Sequence, residues 1–129
     1  MSDRSRGLSG DRWATRLVAL ELDHVLIAVA DLAATAHEIE VRHGLASIEG
    51  GRHPGWGTAN RIVPLGAAYL ELDAVVDEAE AAQSPFGRWV AAARPSLPRL
   101  LGWAVRTPEL EDVARRLDLT VAAGSRAGR

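Results

Sequence analysis

The fold is decided between residues 22 and 72, a stretch that begins with Leu22-Asp23-His24-Val25-Leu26-Ile27-Ala28-Val29 and ends with Tyr69-Leu70-Glu71-Leu72. Both runs have the composition and alternation typical of β-strands. Alternation puts His24 on one face of its strand but does not by itself tell which face lines a cavity. A histidine in one strand and a glutamate in a later one can face a single cavity, so His24 and Glu71 are candidate site residues.

The composition indicates one globular domain with a core of its own. The chain has 129 residues, of which 47% are hydrophobic, and it contains no cysteine. The absence of cysteine excludes a secreted scaffold held by disulfides. The apolar runs are too short to span a bilayer, and the polar N-terminus lacks a signal core, so we expect a cytoplasmic protein.

The charged residues exclude several function classes. The formal net charge is −2, and the 15 basic residues are interleaved with 17 acidic ones without a basic stripe, which argues against a nucleic-acid partner. Every basic residue is arginine. Without lysine or cysteine the chain has neither a Schiff-base amine nor a thiol nucleophile. Its four histidines and its carboxylates suit acid–base or metal-assisted chemistry, or binding.

The pattern of the first half predicts the element order β-α-β-β-β. Asp31 is a plausible N-cap and Gly44 a plausible stop, which predicts a helix over 31–43. Further elements are predicted as a weak strand at 45–49, a glycine-rich loop at 50–57, and strands at 61–65 and 68–75.

The second half predicts a shorter repetition of this pattern. Thr107 and Pro108 look like the N-cap and first residue of a helix. The expected elements are helices at 77–82 and 85–93, a strand at 100–106, this capped helix, a short strand at 119–122 and a polar tail at 124–129. Residues 1–20 read as an extension whose first part favours disorder and whose part from 13 to 20 forms a short helix or strand.

A weak repeat and several sequence words carry a family resemblance. Ala28-Val29-Ala30-Asp31-Leu32 aligns with Arg106-Thr107-Pro108-Glu109-Leu110, and each copy lies between a strand and a helix. The most specific word is His53-Pro54-Gly55-Trp56-Gly57-Thr58-Ala59-Asn60. From about residue 20 to residue 120 the chain resembles a bacterial glyoxalase-like group of the vicinal-oxygen-chelate superfamily.

The resemblance implies an α+β fold built of β-α-β-β-β modules. It divides the domain, residues 21–123, into a first module (21–75), a helical connector (76–99) and a second module (100–123) that lacks two strands. An open second module would expose an edge and an apolar face, so we expect a homodimer with Trp89 or Trp103 near its interface.

The resemblance also assigns the site. His24 and Glu71 match two positions at which metal-dependent members place ligands, whereas Gly102 stands at the third. Two protein ligands are fewer than a zinc site needs, so we expect no cofactor, with a divalent metal on His24 and Glu71 as the alternative. Without a metal, the two residues would bond to each other or line a binding cleft.

The loop at 50–60 supplies the remaining candidates. We expect His24, Glu71 and His53 to be catalytic, with His53 acting as an acid or base near neutral pH. The expected substrate-binding residues are Trp56, Thr58, Asn60 and Tyr69. The alternative is a connecting loop whose tryptophan covers the core.

These observations leave three functional hypotheses open. The first is a small-molecule enzyme or enzyme remnant, of lyase, isomerase or dioxygenase-like type, with a ligand cleft on the concave sheet face. The second is a metal-free module that binds a small molecule. The third is an inactive, truncated fragment.

Overall fold

The computed structural model describes residues 19–124, which contain a single five-stranded sheet. Its strand order is β2-β3-β4-β1-β5. β1 runs parallel to β4, while β2, β3 and β4 form an antiparallel meander. The strands are β1 (Glu21–Ala28), β2 (Ile48–His53), β3 (Thr58–Leu65), β4 (Ala68–Val75) and β5 (Arg99–Arg106).

Four α-helices connect or follow these strands within the described part of the chain. They are α1 (Leu32–His43), α2 (Glu78–Ala81), α3 (Pro85–Ala92) and α4 (Leu110–Arg116), and a 3₁₀ turn spans Arg94–Ser96. None of the helices in residues 19–124 is long and apolar enough to cross a membrane. The order β-α-β-β-β of the first half is as the sequence predicted.

The described residues belong to two compact units. Residues 22–105 form one unit and hold nearly the whole sheet. Residues 19–21 and 106–124 belong to the other, in which Arg106 pairs with Glu21 at 2.9 Å. The module boundaries expected from the sequence remain a prediction, and the segments expected at 1–18 and 125–129 lie outside the described residues.

Helix α1 covers one face of the sheet. Asp31 accepts a hydrogen bond from the Ala34 amide, and Gly44 ends the helix in the left-handed conformation at φ 67°. Both caps are as predicted from the sequence. The core under the helix consists of Val29, Ala36, Val63, Leu72 and Ala74. Burial of these alternate strand residues holds α1 on the sheet.

Helix α3 packs against part of the opposite face. Its Val90 and the following Ala93 are buried against Ala28 of β1, with Val75, Phe86, Leu97 and Leu101 around them. Ser84 caps the helix by accepting a hydrogen bond from the Gly87 amide at 2.8 Å. On the same face, His24 of β1 and Glu71 and Asp73 of β4 are buried polar residues, and they belong to the candidate site.

The glycine-rich segment differs from the prediction. Residues 50–53 belong to β2, which begins at Ile48, so the expected strand at 45–49 and loop at 50–57 were both misplaced. A bulge between Glu49 and Gly51, where Gly51 has φ 120°, lets the glycines enter the sheet. Strand β3 likewise begins at Thr58 instead of residue 61, because it pairs with β2 from Thr58 onward.

The C-terminal expectations were partly wrong. Helix α4 begins at Leu110 and not at Pro108, because the Thr107 hydroxyl accepts the Glu109 amide and forms a local turn first. No strand forms at 119–122. Instead, Asp118 adopts the left-handed conformation at φ 54°, and the Leu119 amide donates to the Ala114 carbonyl. These two features form a motif that ends helix α4.

Candidate functional site

His24 and Glu71 lie together on the face of the sheet opposite α1. In the parallel register His24 is opposite Tyr69 and Leu26 is opposite Glu71, so both side chains leave the sheet on the same side. His24 Nε2 is 3.3 Å from Glu71 Oε2. Both residues are buried, with 7% and 3% of their surface exposed. The structure therefore brings the two main candidates into direct contact.

Two further groups hold the His24 ring. Its Nδ1 lies 2.7 Å from Asp23 Oδ2, and the Tyr69 ring stacks on it with centroids 4.7 Å apart and planes 10° apart. Tyr69, expected to bind substrate, thus contacts the imidazole itself. Carboxylates at both ring nitrogens fix the ring plane, and an imidazole with both nitrogens protonated can donate to both of them.

The hairpin between β2 and β3 adds His53, Thr58 and Asn60 to the same face. His53 pairs with Thr58 in register, and its Nδ1 is 2.8 Å from Thr58 Oγ1. The Asn60 amide Nδ2 lies 3.1 Å from His53 Nε2 and donates to Glu71 Oε1 at 2.7 Å. A continuous set of polar contacts therefore runs from Asp23 to Thr58.

These contacts determine the tautomer of His53. Because Asn60 Nδ2 carries only donors, His53 Nε2 accepts from it, and His53 Nδ1 then carries the proton and donates to Thr58. The Asn60 amide cannot be turned the other way, since its oxygen would then meet the Glu71 carboxylate oxygen. Thr58 has no exposed surface, so its hydroxyl supports His53 from within the fold.

The Asn60 side chain explains why residue 50 in strand β2 is a glycine. A Cβ atom at position 50 would lie 1.9 Å from Asn60 Oδ1 and 2.8 Å from its Cγ. Any other residue there would displace the Asn60 amide that joins His53 to Glu71. The segment predicted as a ligand loop thus contributes to the site as a strand that the side chain of Asn60 packs against.

Asp73 belongs to the site and was missed by the sequence analysis. It is completely buried, and one ligand atom each from His53, Glu71 and Asp73 lie within 4.8 Å of one another. The strand alternation could have found it, because Asp73 follows Glu71 at the spacing of two that puts both on one face. We call His24, His53, Thr58, Asn60, Tyr69, Glu71 and Asp73 the polar patch.

Aromatic rings border the polar patch at His53. Trp56, expected to bind substrate, is 46% exposed, and its ring centroid is 5.4 Å from His53 and 5.1 Å from Phe86. Phe86, which the sequence analysis did not single out, lies edge-on to His53 at 5.9 Å and also contacts Trp89 at 6.0 Å. The half-exposed Trp56 offers a flat apolar surface beside a titratable ring.

An ion pair fixes the strand that carries His53. The neighbouring Arg52 binds Glu80 of α2 at 2.7 Å and Asp77 at 3.5 Å. The hydrogen bond from Arg52 lowers the pKa of the Glu80 carboxyl, and the same bond raises the pKa of Arg52. This ionic contact joins β2 to the segment that begins α2.

The superfamily that the sequence resembles often uses a divalent metal, and the polar patch contains suitable donors. Imidazole nitrogen and carboxylate oxygen are ligands of zinc and related ions. His53, Glu71 and Asp73 offer one such atom each within 4.8 Å, and His24 adjoins Glu71. Gly102 cannot ligate, and a Cβ there would lie 3.4 Å from the Trp89 ring. The donors of the first module thus suit a cation, although residue 102, which the family resemblance matches to a third ligand position, cannot supply a ligand.

The model of the glyoxalase-like domain family matches residues 22–129. This chain belongs to that family. The family lies in the vicinal-oxygen-chelate superfamily, as the sequence resemblance implied, and the α+β fold is confirmed. No curated protein matches the sequence.

Solved structures share the glyoxalase-like fold with this chain. A hypothetical protein from Bacillus halodurans superimposes with a TM-score of 0.63 at 17% identity, over 78% of this chain and 67% of its own. A methylmalonyl-CoA epimerase from Streptomyces coelicolor, in complex with 2-nitronate-propionyl-CoA, gives 0.62 at 20% identity, over 79% and 69%. The methylmalonyl-CoA epimerase from Mycobacterium tuberculosis gives 0.60 at 27% identity, over 81% and 69%.

Proposed function

We propose that this glyoxalase-like protein is a small-molecule enzyme whose ligand binds over the polar patch and exchanges a proton with Glu71. The observation that carries the proposal is the set of contacts from Asp23 through His24, Glu71 and Asn60 to His53. Buried polar groups cost stability, and their concentration on one sheet face is typical of a site. Glu71 is the central residue, since His24 and Asn60 each contact one of its oxygens.

The arrangement suits proton removal from a carbon next to a carbonyl group. The Glu71 carboxylate would take the proton, and the electron pair of the C–H bond would pass to the carbonyl oxygen. A donor facing that oxygen stabilises the resulting enolate, and the donors that contact Glu71 are the Asn60 amide and the His24 ring. Return of a proton from Glu71 to the same carbon completes an exchange. Trp56 would hold an apolar part of the ligand.

Acyl-CoA thioesters are the first substrates to test, because two of the three similar structures described above are methylmalonyl-CoA epimerases. The experiment incubates the protein in D₂O with methylmalonyl-CoA or propionyl-CoA and follows loss of the α-proton by NMR. We expect exchange that Glu71→Gln abolishes and that His37→Gln, an exposed change on α1, leaves intact.

Ligand binding without exchange would favour the second candidate, a binding module. The specific observation for that candidate is the exposed Trp56 ring beside Phe86, which can hold a ligand without any chemistry. Fluorescence quenching of the tryptophans during titration with the thioester separates the two. Neither quenching nor exchange with a panel of acyl thioesters and free oxo acids would contradict both candidates.

We also propose that the protein is a cytoplasmic homodimer. β5 is an edge strand of the sheet, and its Trp103 is 68% exposed, while Trp89 of α3 is 45% exposed. An apolar edge of this kind recruits a second chain. Light scattering is expected to give twice the 13.8 kDa chain mass, whereas a monodisperse monomer at micromolar concentration would contradict the dimer.

A further inference from the structure

We propose that His53, Glu71 and Asp73 form a divalent transition-metal site contained within the first four strands. It differs from the pair His24 and Glu71 suggested by the family resemblance, with which it shares only Glu71. Glu71 and Asp73 leave β4 on one face, and His53 approaches from the end of β2. One ligand atom from each lies within 4.8 Å of the other two.

Burial of two carboxylates at this spacing is the first argument. Glu71 is 3% exposed and Asp73 is not exposed at all. Two carboxylate groups whose oxygens lie within 4.8 Å of each other repel when both are charged, and a cation bound between them removes that repulsion. A divalent ion neutralises both charges at once. One imidazole and two carboxylates are a donor set that Zn²⁺, Co²⁺ and Mn²⁺ accept.

The tautomer of His53 is the second, independent argument. Thr58 lies 2.8 Å from Nδ1 and holds the proton there, so Nε2 keeps its lone pair. That lone pair accepts from Asn60 Nδ2 at 3.1 Å, and Glu71 Oε1 lies 3.9 Å from the same nitrogen. Histidine ligands of metals typically donate their second nitrogen to a polar partner in this way. Thr58 is fully buried, so this partner is fixed before any ion binds.

Asn60 is the residue that competes with the ion. Its Nδ2 contacts both His53 Nε2 and Glu71 Oε1, the two atoms that the ion would join. An ion bound to both atoms replaces these two hydrogen bonds. Removal of the amide in Asn60→Ala is therefore expected to strengthen metal binding, and a tenfold loss would contradict the three-ligand site.

The direct test measures metal binding to the full-length chain after chelator treatment. Isothermal titration with Zn²⁺, and visible absorption with Co²⁺, are expected to give about one ion per chain. Asp73→Asn and His53→Gln should weaken binding on the order of a hundredfold, and Thr58→Val, which removes the buried hydroxyl that holds His53, about tenfold. The control is His43→Gln, an exposed histidine at the end of α1, which is expected to leave the affinity within about threefold of wild type. His24→Gln, which removes a contact to the ligand Glu71, should weaken binding no more than about tenfold.

Three outcomes would overturn the proposal. They are no uptake at millimolar metal, a loss in His24→Gln as large as in Asp73→Asn, or a wild-type affinity in Asp73→Asn. Circular dichroism checks that each variant is folded. If Asp73→Asn does not fold, His53→Gln decides, because the His53 side chain is 24% exposed and tolerates change better. The proton-exchange test of the proposed function is run on chelator-treated protein, so failure of either proposal leaves the other testable.

Discussion

The two faces of the central sheet are built from alternate residues of the same strands, yet they differ in composition. Toward α1, β4 presents Leu72 and Ala74, which join Val29 and Val63 in an apolar core. On the other face, β4 presents Glu71 and Asp73, equally buried. Apolar burial stabilises a fold, whereas buried carboxylates weaken it unless they are compensated. The first face thus stabilises the fold, whereas the second holds the residues to which the proposed chemistry is assigned.

The largest effect is expected from Leu72→Ala on the apolar face. Leu72 is completely buried, and loss of its side chain leaves a cavity under α1. The free energy of unfolding should fall by about 2–5 kcal/mol in urea titrations. Leu65→Ala, at the half-exposed end of β3, is the control and should cost far less. Equal losses in the two variants would contradict the distinction between core and edge.

Gly50→Ala tests how tightly the polar face is packed. The new methyl group would meet the Asn60 side chain at 1.9 Å, so Asn60 has to move. We expect a loss of about 1–3 kcal/mol in the free energy of unfolding, the usual cost of overpacking. Proton exchange should fall as well, since Asn60 orients Glu71. Gly124→Ala, with open space around its Cβ, should have no effect on either measurement.

Glu71→Gln should separate activity from stability on the polar face. The glutamine keeps an oxygen that accepts from Asn60, and it removes a buried charge near Asp73. The free energy of unfolding should therefore stay within about 1 kcal/mol of the wild-type value or increase. The proton exchange proposed above should be lost completely. A strong destabilisation would mean that the carboxylate is part of the structural core.

The smallest effect concerns the ion pair beside the site. Arg52 lowers the pKa of Glu80, so the contact stabilises the fold above the ordinary Glu range and is lost as the pH falls through the lowered value. Melting temperatures of wild type and Glu80→Gln should differ at pH 7 and converge as the pH falls through the lowered pKa of Glu80. In an Arg52→Gln background, Glu80→Gln should produce no such pH-dependent difference. A difference that persists there would contradict Arg52 as its cause.

Local signals predicted much of the fold correctly. The helix after β1 begins at the Asp31 cap and ends before Gly44, and β4 spans the residues predicted for it. These elements depend on short-range chemistry, namely a capping side chain, a glycine with positive φ and an alternating run. The common face of His24 and Glu71 also followed from alternation together with the family resemblance.

The errors occur where a distant partner overrides the local signal. Gly50 and Gly51 read as a loop, but β3 supplies hydrogen bonds and Asn60 fills the space that their missing side chains leave. The run at 119–122 is apolar enough for a strand, but in the described structure it follows a helix-ending turn at Asp118 and has no strand partner there.

The sequence by itself determined the helix caps, the strand periodicity and the family, and it nominated His24 and Glu71 as candidate site residues. Only the tertiary structure decided that Asp73 and His53 meet beside Glu71, that Asn60 joins them, and that Gly102 faces Trp89. The physical reason is the separation along the chain between the residues that interact. Caps and alternation depend on neighbours a few residues away. The site depends on the register of distant strands, such as β1 and β4, in which His24 is opposite Tyr69, 45 positions along the chain, and no local pattern encodes that register.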